Sequence, residues 1–120
     1  MTRLFLYGTL KRGCKNHRHL AGQAFLGEAR TAPGFLLYRL DGYPGMVEDP
    51  AGRGGVTGEL WSVDDDALAR LDCFEGVHEG LYRRIAVPLA TPVGDVMQAD
   101  AYLYARDTVG LPVIGSVWSE

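Results

Sequence analysis

The sequence predicts an α+β fold in which seven short strands form a curled sheet or small β-barrel beside a helix. Three observations carry that expectation. Sixteen glycines in 120 residues concentrate between apolar segments. Seven of those segments are rich in β-branched or aromatic residues and are bounded by Gly, Pro or Asp. One stretch before the sixth of them has helical spacing instead. A chain of this size, 47% hydrophobic, can bury one core. With no repeat or linker-like shift to divide it, 1–120 reads as a single domain.

In chain order the predicted strands are 3–7, 24–30, 34–39, 43–48, 55–61, 82–89 and 96–104. The first contains the run Leu4-Phe5-Leu6 and stops at Gly8. Gly8 permits a sharp turn there, and such a turn can aim successive N–H groups at one point, with the Thr9 hydroxyl as a further donor. It lacks the further glycines of a dinucleotide fingerprint and the Gly-Lys-Ser/Thr of a phosphate loop, so no nucleotide cofactor is implied.

The helix is predicted over 65–75. Asp64 can cap it, Asp65 and Asp66 suit its positive end, and Gly76 offers a left-handed stop. Val63 and Leu68 occupy the two positions of a hydrophobic staple. Leu68, Leu71 and Phe74 define a buried stripe, and Glu75, four residues after Leu71, falls on the same face. An inward carboxylate is costly unless a cation neutralises it, the helix frays before it, or a cavity uses it. Arg83 and Arg84 are near enough in sequence to be that cation.

Twelve basic residues against fifteen acidic ones, with no Lys/Arg block longer than a pair, argue against nucleic acid as a partner. The start has no secretory signal, and no run reaches membrane-spanning length, so a cytoplasmic location without membrane partners is expected. Cys14 and Cys73 lack metal-site spacing and read as free thiols. His17, His19 and His78 complete no metal set.

More specific than any one feature is the combination of Tyr7-Gly8-Thr9-Leu10-Lys11-Arg12-Gly13 and Asn16-His17 with Leu71-Asp72-Cys73-Phe74-Glu75-Gly76, Leu81-Tyr82-Arg83-Arg84 and Ala101-Tyr102-Leu103-Tyr104. This combination resembles the γ-glutamyl cyclotransferase-like family, and the opening stretch is most similar to its γ-glutamylamine cyclotransferase branch. Between Gly13 and Gly55 the match is one of pattern. The resemblance implies a mixed barrel with a few flanking short helices, a small-molecule γ-glutamyl substrate, and no metal or organic cofactor. It also implies substrate binding at Tyr7, Gly8, Thr9 and Leu10, and catalysis by Glu75. In the implied reaction the substrate's α-amine attacks its own γ-carbonyl, releasing 5-oxoproline and a free amine, while Glu75 takes and returns a proton. The turn at Gly8 then holds either the developing oxyanion or the substrate carboxylate.

Glu59 shares a strand face with Thr57 and Trp61 and is the reserve base; its other reading is a solvated carboxylate or an arginine's partner. Tyr82 and Tyr104 are weighed as pocket residues and set below Tyr7. Lys11 and Arg12 could attract an anionic substrate, and Trp118 reads as an anchor for the tail. The competing function is a module that binds a small acidic ligand and catalyses nothing.

Overall fold

The computed structural model describes residues 1–52 and 54–120. Eight strands form one mixed sheet: β1 (Thr2–Leu6), β2 (Ala24–Arg30), β3 (Phe35–Arg39), β4 (Pro44–Glu48), β5 (Thr57–Val63), β6 (Tyr82–Val93), β7 (Val96–Tyr104) and β8 (Val113–Gly115). Their order is β2-β5-β1-β7-β4-β3-β8, with β6 also paired to β7. The sheet curls into a half-barrel with one α-helix, α1 (Asp65–Phe74). A single 3₁₀ turn, His17–Leu20, is the other helical element among the described residues.

All seven expected strands are present, 24–30 and 96–104 with the expected ends and the other five with shifted ones. The fifth runs 57–63 instead of 55–61. The sixth continues to Val93 despite Pro88 and Pro92, because the pairing with β7 breaks register between Pro88 and Val93, where a residue without an N–H is tolerated. The eighth strand was not expected. Three residues hold no visible alternation, and β8 exists because Val113 and Gly115 pair with Tyr38 and Leu37.

Alternation along β1 builds two cores. Phe5 packs with Leu37, Met46, Leu60 and Leu103 on the inner face, where Trp118 seats the tail. Leu4 and Leu6 pack on the other face with Trp61, Ala67, Leu71 and Tyr102, under α1. Both faces of β1 are therefore covered, which is why its run is continuously apolar.

The Asp64 side chain accepts from the Ala67 N–H at 2.8 Å, capping α1, while Gly76 at φ +66° turns the chain away after it. The helix ends at Phe74, and Glu75 is its C-cap, still donating its N–H to the Leu71 carbonyl at 2.9 Å. The expected stripe is corrected in part. Ala67 and Leu71 are fully buried and Leu68 partly so, but Phe74 is 43% exposed. Ala67 and Leu71, four apart, face the sheet squarely, which leaves Phe74 to the side against the His19 ring, 4.5 Å between centroids.

Candidate active site

Strands β1 and β4 both run parallel to β7. Leu4 pairs with Asp100 and Met46 with Leu103, while β6 occupies the opposite edge of β7. Two strands sharing one edge must part, and Tyr7 fills the fork. Its hydroxyl donates to the Tyr102 carbonyl at 2.6 Å and accepts from the Met46 N–H at 3.1 Å. A cavity of about 290 Å³ opens beside this fork, and Tyr7, Gly8, Thr9, Leu10 and Glu75 all line it. The structure thus brings together every residue singled out for substrate binding and catalysis.

The expected turn at Gly8 is present, and its φ is not positive; a Cβ there would lie 2.9 Å from Pro44 Cγ, so glycine also permits close approach across the cavity wall. Lys11 N–H closes the turn on the Gly8 carbonyl at 3.2 Å. Asn16 then ties it down, donating from Nδ2 to Thr9 Oγ1 and from its backbone to the Thr9 carbonyl, each at 2.9 Å. The N–H groups of Gly8, Thr9 and Leu10 find no acceptor among the described residues.

Glu75 has no ion-pair partner among the described residues. Arg84 is engaged by Asp72 and Asp100, and Arg83 by Glu48. Burial alone pushes the Glu75 carboxyl up to about 7, although part of the residue still meets solvent through the cavity. Of the four tyrosines that line the same space, three donate their proton elsewhere. Tyr7 gives it to the Tyr102 carbonyl, Tyr82 to the Pro44 carbonyl at 2.7 Å, and Tyr102 to Asp72 at 2.7 Å. Their burial raises their own pKa values, so they remain neutral beside Glu75. The carboxylate is left undersolvated, the condition in which it competes for a proton near neutral pH.

The sequence profile of the family described as gamma-glutamyl cyclotransferase, AIG2-like, matches residues 4–120. The chain belongs to the γ-glutamyl cyclotransferase, AIG2-like family. An AIG2-like protein of Mus musculus superposes with a TM-score of 0.84 at 33% identity, covering 100% of this chain and 90% of that one. The gamma-glutamylaminecyclotransferase A of Danio rerio is 33% identical over 112 residues, 88% of this chain and 69% of its own. The gamma-glutamylcyclotransferase family protein YtfP of Escherichia coli K12 is 33% identical over 114 residues, 95% of this chain and 92% of its own.

Within this γ-glutamyl cyclotransferase-family fold, Glu59 does not reach the cavity lining. It is 7% exposed and accepts from the Arg12 N–H (3.0 Å), Arg12 Nε (3.0 Å) and Trp61 Nε1 (3.2 Å). Of its two alternative readings, the arginine partner is the one found, and the reserve base is withdrawn. Lys11 and Arg12 are likewise absent from the lining: Lys11 Nζ holds the Trp118 carbonyl at 2.7 Å, and Arg12 stacks on Phe25, 3.7 Å to its centroid. Tyr104 packs edge-on against Tyr82 and stays outside.

The cavity also takes in Lys15, Asn16, Tyr43, Pro44, Phe74, Leu81, Tyr82 and Tyr102. Asn16, Tyr82 and Tyr102 stand in the motifs already singled out. Lys15, Tyr43 and Pro44 have no local signal at all, since loop position alone brings them there. No helix among the described residues is long and apolar enough to cross a membrane.

Proposed function

We propose that the chain is a γ-glutamylamine cyclotransferase-type enzyme acting in the cytoplasm, with Glu75 as its proton acceptor and donor. The observation that carries this reading is one carboxyl, unpaired among the described residues and raised to about 7, in the lining of a cavity that Gly8, Thr9 and Leu10 also line. Such a group is poised to exchange protons at neutral pH.

In the reaction Glu75 takes a proton from the α-ammonium of the bound γ-glutamyl compound. The freed nitrogen attacks the γ-carbonyl carbon, and the new C–N bond closes a five-membered ring. Negative charge gathers on the carbonyl oxygen, where N–H groups of the turn at Gly8, Thr9 and Leu10 can stabilise it or else hold the α-carboxylate. The original C–N bond then breaks as Glu75 returns its proton to the departing nitrogen, giving 5-oxoproline and a free amine. Because one carboxyl serves both transfers, no second acid is needed. Tyr7 contributes its ring to the wall and the rigidity of the fork, its hydroxyl being fully used.

The test is incubation with γ-glutamyl-ε-lysine and a panel of γ-glutamyl amides, assayed for 5-oxoproline. Product formation that disappears with Glu75→Gln is expected. Saturable binding of the whole panel without product supports the non-catalytic module instead.

A further inference from the structure

A carboxyl stays desolvated only while the backbone beneath it stays put, and the Glu75 side chain makes no ion pair among the described residues. The anchor lies one turn earlier. Asp72, three residues before Glu75, accepts the Val77 N–H on its carbonyl at 3.0 Å, closing the end of α1 around Glu75. Its carboxylate reaches the sheet. Asp72 Oδ1 accepts from Arg84 Nε at 3.0 Å and from the Tyr102 hydroxyl at 2.7 Å, and Oδ2 accepts from Arg84 Nη2 at 3.3 Å.

Arg84 on β6 and Tyr102 on β7 are cross-strand partners, so their side chains share one face of the sheet. Arg84 Nη1 continues to Asp100, two residues before Tyr102 and on that same face. One guanidinium thus joins the helix to both strands, in the forked geometry that fixes direction as well as distance. The Asp72 and Arg84 side chains are only 18% and 27% exposed. Neither they nor Asp100 line the cavity, whereas Tyr102 does. Asp72 and Arg84 therefore act on the cavity through what they hold. We propose that Asp72, Arg84 and Tyr102 are positioning residues, a tether that pins the last turn of α1 to β6 and β7 and keeps the Glu75 carboxyl in the cavity wall. The consequence for turnover rests on the cyclotransferase reading.

The experiment compares Arg84→Lys and Arg84→Met with the wild type. Lysine keeps the charge and loses the fork; methionine loses both. Tyr7, Lys15, Tyr43, Tyr82 and Tyr102, which share the cavity with Glu75, stay in place in each, as do His19 against Phe74 and Glu79 beside Gly76. With the tether cut, the helix end shifts, water reaches Glu75, and its pKa falls from about 7 toward 4.5. NMR titration of the glutamate carboxyl carbons reads this directly, the Glu75 signal being assigned by its absence from Glu75→Gln. Its midpoint should drop by about one pH unit or more in both variants. The acid limb of kcat/KM for 5-oxoproline release should drop with it. In the same assay kcat should fall about tenfold or more while KM for γ-glutamyl-ε-lysine stays within about twofold. A charge effect alone has the opposite sign in Arg84→Met, because an uncovered Asp72 near Glu75 raises the midpoint. A raised or unchanged midpoint overturns the proposal, as does a change in KM alone. Should Arg84→Met fail to fold, Arg84→Lys decides. The titration needs no turnover, so a wild type that releases no 5-oxoproline overturns the cyclotransferase reading, while the midpoint still decides the tether.

Discussion

Glutamine at position 75 keeps the size of the side chain and removes its charge, so it separates what the carboxylate does for catalysis from what it costs the fold. The folded carboxyl titrates at about 7 and the ordinary group at 4.5. The folded state thus holds this proton more tightly than the unfolded chain, and the stabilisation is fully present below pH 4.5 and lost as pH rises through 7. The gap corresponds to about 3 kcal/mol, an upper bound because the residue keeps some contact with solvent. Glutamine loses nothing over that range. Relative to the wild type, Glu75→Gln should gain stability progressively from pH 4 to pH 8, by up to about 3 kcal/mol or roughly 10 °C in Tm for a chain of this size. The same variant should lose about 10²- to 10⁴-fold in 5-oxoproline release, and wild-type kcat/KM should fall about tenfold per pH unit below the carboxyl's pKa. Thermal melts at pH 4 and pH 8 read the first effect, and initial rates read the second. A Tm difference between variant and wild type that is the same at both pH values refutes the desolvated carboxyl; an active variant refutes its role.

Glu59→Gln, by contrast, should keep activity within about tenfold of wild type and melt lower by about 1 kcal/mol, because its Arg12 partner is nearly half exposed and solvent weakens the pair; a loss equal to that of Glu75→Gln would restore Glu59 as a base. Gly8→Ala drives a methyl to within 2.9 Å of Pro44 Cγ. It should cost about 1–3 kcal/mol in denaturant unfolding and raise KM as the turn shifts. Tyr7→Phe strands the Met46 N–H and removes a donor from the Tyr102 carbonyl. A stability loss of about 1–3 kcal/mol is expected, with activity at low temperature reduced less than by Glu75→Gln; a fully stable Tyr7→Phe would show that the fork does not depend on that hydroxyl.

Much of the scaffold was legible because its signals are local. The Asp64 cap, the Gly76 stop and the run Leu4-Phe5-Leu6 depend on neighbours a few residues away, and so does the inward direction of Glu75, read from its spacing to Leu71. The same reasoning overreached at Phe74. Periodicity names a face of a helix but not how wide a strip of that face the sheet covers, and here the covered strip centres on Ala67 and Leu71. Strand β8 was invisible for a related reason, since three residues become a strand only through their partners in β3.

The amino-acid order alone determined which carboxylates and which turn were candidates, because those choices rest on spacing along one helix and one strand exit. Only the tertiary structure distinguishes the surroundings of Glu75 from those of Glu59. Arg12, 47 positions before Glu59, satisfies one acid, while Arg83 and Arg84 turn to other partners and leave the second unpaired. The cavity itself is a tertiary object too, made where β1 and β4 part along β7 and held by a tyrosine bonded to a carbonyl 95 residues away. Contacts at such separations carry no period along the chain, and it is these contacts that set the desolvation and partners of each acid, and so its chemistry.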